Sequence, residues 1–341
     1  MSTAALRRIA PALGLFALAP VIGECLLGNL TLSEMALLLP LLAPMYGGGA
    51  LLIREVARRA GRGPSAMLVL GLAYALVEEG LVDQMLFNRL YAGHDLMGDT
   101  YIPALGMGAW LTLAVLTMHA VWSTTVAIVL VEALVPGRSR SPWLGRTGLV
   151  VTGLVFVAGS ALVAYGHYLE ERFVAAPWQL AGTAVAVVTL IAVALCRGRR
   201  AARGPHELRP SGAGAPGPWA VGLAASAAGS LFTATEQVPG WWRALAAAAL
   251  PAVALVVGTR WCRRPGWGPR QQVAAAGGAL LAYAGTGFFT TPESAPKQAA
   301  DYGANAALAA GAVLLLICAT RATARATAQA GSALRVGTAR K

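Results

Sequence analysis

Three carboxyl side chains, those of Glu78, Glu79 and Asp83, lie inside the apolar stretch LAYALVEEGLVDQMLF. An ionised carboxylate at the centre of a bilayer costs about 2.5–3.5 kcal/mol on insertion scales, so acids at such positions are usually functional. Two adjacent carboxylates also repel each other in a medium of low dielectric constant, which favours a proton held by Glu78 or Glu79. A carboxyl group that holds such a proton can exchange it with water or with a leaving group.

The next apolar block carries side chains suited to work with these acids. His119 lies near the middle of AWLTLAVLTMHAVWSTTVAIVLVEAL, and Ser123 follows one turn later on the same face. Because consecutive spans usually pack side by side, the two blocks are expected to be neighbours. The sequence therefore predicts a catalytic site of four residues, Glu78, Glu79, His119 and Ser123. A carboxylate would act as general base, and the imidazole and hydroxyl would stabilise an oxyanion. The same groups would equally form a proton relay.

Two short motifs in these blocks resemble those of the CPBP family, the intramembrane proteases that process CAAX-prenylated proteins and bacteriocins. EEGLVD at 78–83 is similar to the family's Glu-Glu-x-x-x-Arg, and HAVWS at 119–123 is similar to its histidine followed four residues later by a small polar residue. Asp83 stands where the family has arginine, and the middle motif, Phe-x-x-x-His, is absent.

The resemblance implies an all-helical membrane bundle that cleaves peptide bonds near the membrane. By that resemblance Glu78 would activate a water molecule and Glu79 would support it. His119 and Ser123 would stabilise the oxyanion. The departures in the motifs equally fit an inactive relative.

The composition is that of a membrane protein. Of the 341 residues, 57% are hydrophobic and 12% are charged, about half the charged share of a typical soluble domain. The apolar residues form blocks of roughly 20 residues, the length that spans a bilayer as a helix. The predicted fold class is an all-α, polytopic transmembrane helix bundle of about ten spans, near 9–28, 32–53, 65–88, 104–134, 147–169, 176–196, 217–235, 242–259, 272–290 and 303–320.

Basic residues are spread unevenly over the links between these blocks. If the N-terminus is cytoplasmic, 23 of the 27 Lys and Arg residues lie in cytoplasmic segments. This bias predicts that both termini are cytoplasmic, with the chain in the cell membrane, most simply a bacterial inner membrane. Positive charge dispersed over short links does not make the basic surface that nucleic acid requires. The expected partners are the lipid bilayer and anionic lipid headgroups at the basic loops.

The order of the blocks predicts four portions of chain. A six-span portion with the polar site covers 1–196, a basic cytoplasmic linker covers 197–216, a four-span portion covers 217–320, and a basic cytoplasmic tail covers 321–341. The four cysteines are scattered without C-x-x-C spacing, so neither a zinc site nor a disulfide framework is predicted, and no cofactor is expected.

Other polar positions have simpler explanations. Glu132 is expected to pair with basic residues of the following cytoplasmic loop, and Glu55 is expected to form an exposed pair with Arg59 one turn later. TLSE at 31–34 has the spacing of a capping box. PMYGGGA at 44–50 indicates either a broken helix beside a cavity or unusually close helix packing.

Three functions remain compatible with the sequence. The first is a CPBP-like hydrolase or its non-proteolytic descendant, and the second is a proton-coupled small-molecule transporter that uses the same acids. The third is a structural or accessory membrane protein in which the polar groups only fix helix packing. The substrate is not determined by any of these patterns.

Overall fold

The computed structural model describes residues 3–196, 214–292 and 294–338. Within these ranges the chain is almost entirely helical, and its only strands are β1 (Tyr101–Ile102) and β2 (Met107–Gly108), which form an antiparallel hairpin. The α-helices are α1 (Thr3–Pro20), α2 (Leu32–Arg59), α3 (Pro64–Val77), α4 (Ala109–Met118), α5 (Ala127–Leu134), α6 (Arg146–Glu171), α7 (Pro177–Cys196), α8 (Pro218–Thr233), α9 (Trp241–Cys262), α10 (Pro269–Thr286) and α11 (Ala299–Thr338). Three π-helical segments adjoin them: π1 (Val21–Cys25), π2 (Glu78–Val82) and π3 (His119–Val126).

The predicted all-α membrane bundle is confirmed. Eight helices of the described chain are long and apolar enough to cross a membrane: Arg8–Cys25, Leu32–Arg59, Pro64–Val82, Ala109–Leu134, Arg146–Glu171, Pro177–Cys196, Trp241–Cys262 and Ala299–Gln329. The other two predicted spans correspond to α8 and α10. Helix α8 has 16 residues, fewer than the roughly 20 that span a bilayer, and α10 begins with the polar sequence PRQQ.

Helix α2 is continuous through its two prolines and three glycines, and close packing explains its composition. A Cβ atom at Gly47 would lie 2.1 Å from the carbonyl oxygen of Phe16 in α1, and one at Gly49 would lie 2.4 Å from the ring of Tyr74 in α3. Small residues let helices approach this closely in a membrane. The helix begins with the predicted capping box, in which Thr31 and Glu34 bond each other's backbone N–H groups.

The first seven and the last four helices pack against each other. Trp122 of π3 stacks on Tyr283 of α10 with ring centroids 4.8 Å apart and on Phe232 of α8 at 6.0 Å, and its indole N–H donates to the carbonyl of Ala279. Of the predicted linker at 197–216, residues 197–213 lie outside the described part of the chain. The segment predicted as a tail continues α11 as a helix to Thr338.

A buried charged network ties α2 to α5 and to the loop that follows α5. Glu132 of α5 is bonded by Arg54 and Arg58 of α2, at 3.1 Å for Arg54 Nε, so its partners come from a distant helix. Glu55 is fully buried and accepts bonds from Arg54 Nη1 and from the backbone N–H of Trp143. The predicted Glu55–Arg59 pair is present at 3.6 Å, but the prediction that it is exposed is wrong for Glu55, because the loop after α5 folds over this side chain.

Candidate active site in the membrane bundle

Three spans depart from α-helical geometry where they meet. The segments π1, π2 and π3 are π-helical turns in the first, third and fourth spans. Such turns contain one residue more than an α-helical turn and occur frequently at functional sites. Segment π2 begins at Glu78 and π3 begins at His119, so the widened turns coincide with the predicted site.

The structure brings all four predicted site residues together around the imidazole of His119. Its Nε2 atom is 2.7 Å from Glu79 Oε1, and its Nδ1 atom is 3.1 Å from both Ser123 Oγ and Glu78 Oε2. Each of the four residues is buried, with exposed fractions between 2% and 7%. We refer to Glu78, Glu79, His119 and Ser123 as the glutamate–histidine cluster.

The cluster has unused hydrogen-bonding capacity. Glu78 Oε2 lies near His119 Nδ1 but does not satisfy hydrogen-bond geometry, and Glu79 Oε2 also has no hydrogen-bond partner within the described chain. Buried acceptors without partners are costly, so they usually mark a place where a proton, a water molecule or a ligand group binds. Two carboxyls and one imidazole at these distances interact strongly, because burial weakens the screening of their charges.

Two further side chains belong to this site and were not predicted. The hydroxyl of Tyr46 in α2 donates a hydrogen bond to Glu24 of π1, and the Tyr46 ring lies 5.7 Å from that of His119. The backbone of π1 also packs closely against the cluster: a Cβ atom at Gly23 would lie only 2.8 Å from Ser123 Oγ. The signal that could have found Glu24 is the rule used for Glu78: it is an acid within an apolar span.

Asp83 makes none of the direct contacts described for the cluster. The helix ends before it, and its carboxylate accepts a bond from the backbone N–H of Met85 at 3.1 Å. It lines a cleft between the end of π2 and the end of α6, where His167 and Glu171 also lie. The His167 Nδ1 atom is 3.1 Å from the hydroxyl of Tyr91.

The loop between the third and fourth spans is held by polar contacts near the surface. Asp95 accepts bonds from the guanidinium of Arg89 at 2.9 Å and from the backbone N–H of Gly98 at 3.0 Å. These bonds hold the pKa of the Asp95 carboxyl below its ordinary value. In the part of the chain that the structure describes, no group of His, Cys, Asp and Glu side chains is arranged to hold a metal ion.

Comparison with known proteins identifies the family. The model of an uncharacterized membrane protein family matches residues 13–339. The chain belongs to this family. The match includes the glutamate–histidine cluster and the C-terminal helices alike, so the family model covers both halves of the bundle. No curated protein and no solved structure matches the chain.

Proposed function

We propose that this membrane protein is a hydrolase whose active site is the glutamate–histidine cluster, acting on a peptide bond at or within the membrane. The observation that carries the proposal is the position of His119, which contacts Glu79 through one ring nitrogen and Glu78 and Ser123 through the other. The resemblance of both motifs to the CPBP proteases supports the same assignment.

The geometry supports a division of labour among the four side chains. Glu78, whose Oε2 atom has no hydrogen-bond partner among the described residues, would take a proton from water as the water oxygen attacks the scissile carbonyl carbon. His119, fixed by Glu79, and the Ser123 hydroxyl would donate hydrogen bonds to the resulting oxyanion. Collapse of this intermediate would break the C–N bond, and Glu78 would pass its proton to the leaving amine.

The departures from the CPBP motifs fall outside this proton-transfer unit. Asp83, at the position of the family's arginine, bonds the backbone of Met85. The aromatic rings of Tyr46 and Tyr74 lie beside His119, with their centroids 5.7 and 6.3 Å from the centroid of the imidazole. The proposed chemistry therefore needs only the two glutamates, the histidine and the serine.

The test follows the oxygen atom that hydrolysis adds. Membranes containing the protein are incubated in water enriched in heavy oxygen, and new peptide C-termini carrying that isotope are counted by mass spectrometry. We expect Glu79→Gln and Glu78→Gln to lower the labelling about 100-fold or more, the usual range for a lost acid–base group. The matched control is Glu132→Gln, a buried glutamate outside the site, normalised to the amount of folded protein. Equal labelling in Glu78→Gln and wild type would rule out the hydrolase.

A proton-coupled carrier is the second candidate, and one observation favours it. Titratable side chains continue from the cluster through Tyr46 to Glu24, as in proton relays of transport proteins. This function predicts proton uptake into proteoliposomes under an imposed membrane potential, abolished by Glu79→Gln.

We also propose a location for the protein: a bacterial inner membrane, with both termini cytoplasmic. The bias of basic residues towards one set of links supports this location.

A further inference from the structure

Glu24 differs from the acids of the cluster in its surroundings. It lies in π1, at the end of the first span, and it is partly exposed whereas Glu78 and Glu79 are buried. One of its carboxylate oxygens accepts the hydroxyl proton of Tyr46, and the other lies 3.3 Å from the amide nitrogen of Asn29, in the link to α2. Glu24 therefore connects the interior of the bundle to the end of the spans.

We propose that Glu24 and Tyr46 form the route by which protons pass between the glutamate–histidine cluster and the aqueous side at which the first span ends. The proposal rests on the function proposed above, since Glu78 must be free of its proton before it can accept one from water, and the route carries that proton away. In this role Glu24 and Tyr46 act through Glu78 and touch no substrate, so they are positioning residues.

The transfer is balanced at the three oxygen atoms involved. The Tyr46 hydroxyl donates to Glu24, and the Tyr46 ring lies 5.7 Å from that of His119, whose Nδ1 atom is 3.1 Å from Glu78 Oε2. When Glu78 holds a proton, the Tyr46 oxygen accepts it while the Tyr46 hydroxyl proton moves to Glu24. One O–H bond breaks and one forms on Tyr46, which is left unchanged, and the net result is a proton moved from Glu78 to Glu24. Release from the partly exposed Glu24 to water completes the step.

Tyr74 does not offer a second route of the same kind. Its ring also lies beside His119, at 6.3 Å, but its hydroxyl has no hydrogen-bond partner in the described chain through which a proton could leave. Other titratable side chains near the route are those of Cys25, which follows Glu24 in π1, of Asp83 after π2 and of Tyr283 in α10. None of these makes a hydrogen bond to Glu24 among the described residues, whereas Tyr46 does and also lies beside His119.

The test measures proton arrival at Glu78 without any substrate. A light-triggered acid releases protons onto the full chain in proteoliposomes, and the carbonyl infrared band that Glu78→Gln removes is followed in time. We expect this band to rise about tenfold more slowly, or slower still, in Tyr46→Phe and Glu24→Gln, since each loses a charge-assisted hydrogen bond. Tyr74→Phe, the matched loss of a buried hydroxyl, should keep the wild-type rate, and Glu24→Asp should restore part of it.

The outcomes separate the route from the hydrolase. An unchanged rate in both Tyr46→Phe and Glu24→Gln overturns the route, and so does equal slowing in Tyr74→Phe or the absence of any Glu78 band. Slowed protonation in a protein that labels no peptide with heavy oxygen upholds the route and removes the hydrolase. Tryptophan fluorescence of each variant verifies that the bundle is folded.

Discussion

Removal of the guanidinium of Arg54 is expected to destabilise the bundle strongly. This side chain has an exposed fraction of 0%, bonds Glu55 at 2.6 Å and Glu132 at 3.1 Å, and donates to the carbonyl of Ser141 at 2.7 Å. It also stacks over the ring of Trp143 at 3.5 Å. Arg54→Met keeps an unbranched apolar side chain about as far as the arginine Nε position but removes all of its donors.

The magnitude follows from the burial of the partners. Loss of one member of a buried ion pair typically costs about 3–5 kcal/mol, because the remaining charge stays buried without compensation. Glu55, whose side chain is also 0% exposed, would lose its closest cationic partner and keep two backbone N–H bonds and the 3.6 Å contact with Arg59. The matched control is Arg59→Met: Arg59 pairs with the same Glu55 at 3.6 Å but is 32% exposed. Because Arg59 is itself partly exposed and reaches Glu55 only at 3.6 Å, its loss should change the stability by about 1 kcal/mol or less, the range of solvent-screened pairs.

The free energy of unfolding is measured by denaturant titration in detergent, followed by tryptophan fluorescence. Trp143, directly under Arg54, reports on the network itself. We expect Arg54→Met to lose at least about 2 kcal/mol more than Arg59→Met, the difference between the buried and exposed ranges. If the two variants lose the same amount, burial of the network contributes nothing to stability and the reasoning from its contacts is refuted.

Two further predictions concern packing and pH. Gly47→Ala places a methyl group against the carbonyl oxygen of Phe16 and should lower the free energy of unfolding, measured by thermal unfolding, by about 1–3 kcal/mol. The control Gly153→Ala, where a Cβ atom would meet no other atom within 4 Å, should be neutral or stabilising. Equal effects of the two substitutions would contradict the packing. The pKa of Asp95 is held below its ordinary value by the Arg89 bond, so this contact is complete above the ordinary pKa and is lost as pH falls through the folded one. In a carbon-13 NMR titration Arg89→Gln should raise the Asp95 pKa, and an unchanged value would show that the bond has no influence.

The residues of the cluster could be predicted from the sequence because polar and acidic side chains are conspicuous within apolar blocks. Glu78, Glu79 and His119 stand out by type alone, and the packing of consecutive spans predicts that they meet. Tyr46 has no such signal, since a tyrosine next to a glycine run is ordinary at a helix interface. The π-helical turns were also inaccessible, because patterns of spacing assume α-helical pitch throughout.

The charged network shows a second limit. The spacing of Glu55 and Arg59 predicts a surface pair because it describes only one helix. What buries Glu55 is a loop about 90 residues later in the chain, whose Trp143 and Leu144 N–H groups bond the carboxylate. Long-range contacts of this kind leave no trace in local periodicity.

The fourth span, Ala109–Leu134, carries His119 at the start of π3 and Glu132 near the end of α5, and so joins the glutamate–histidine cluster to the buried charged network around Arg54. Deleting Val129, in the α-helical part of the span before Glu132, would leave the hydropathy of the span almost untouched, yet each residue advances an α-helix by about 100°. Everything after the deletion would be turned by that angle, and Glu132 could no longer face Arg54 while His119 faced Glu79. This helix is therefore expected to tolerate many side-chain substitutions far better than the deletion of a single residue.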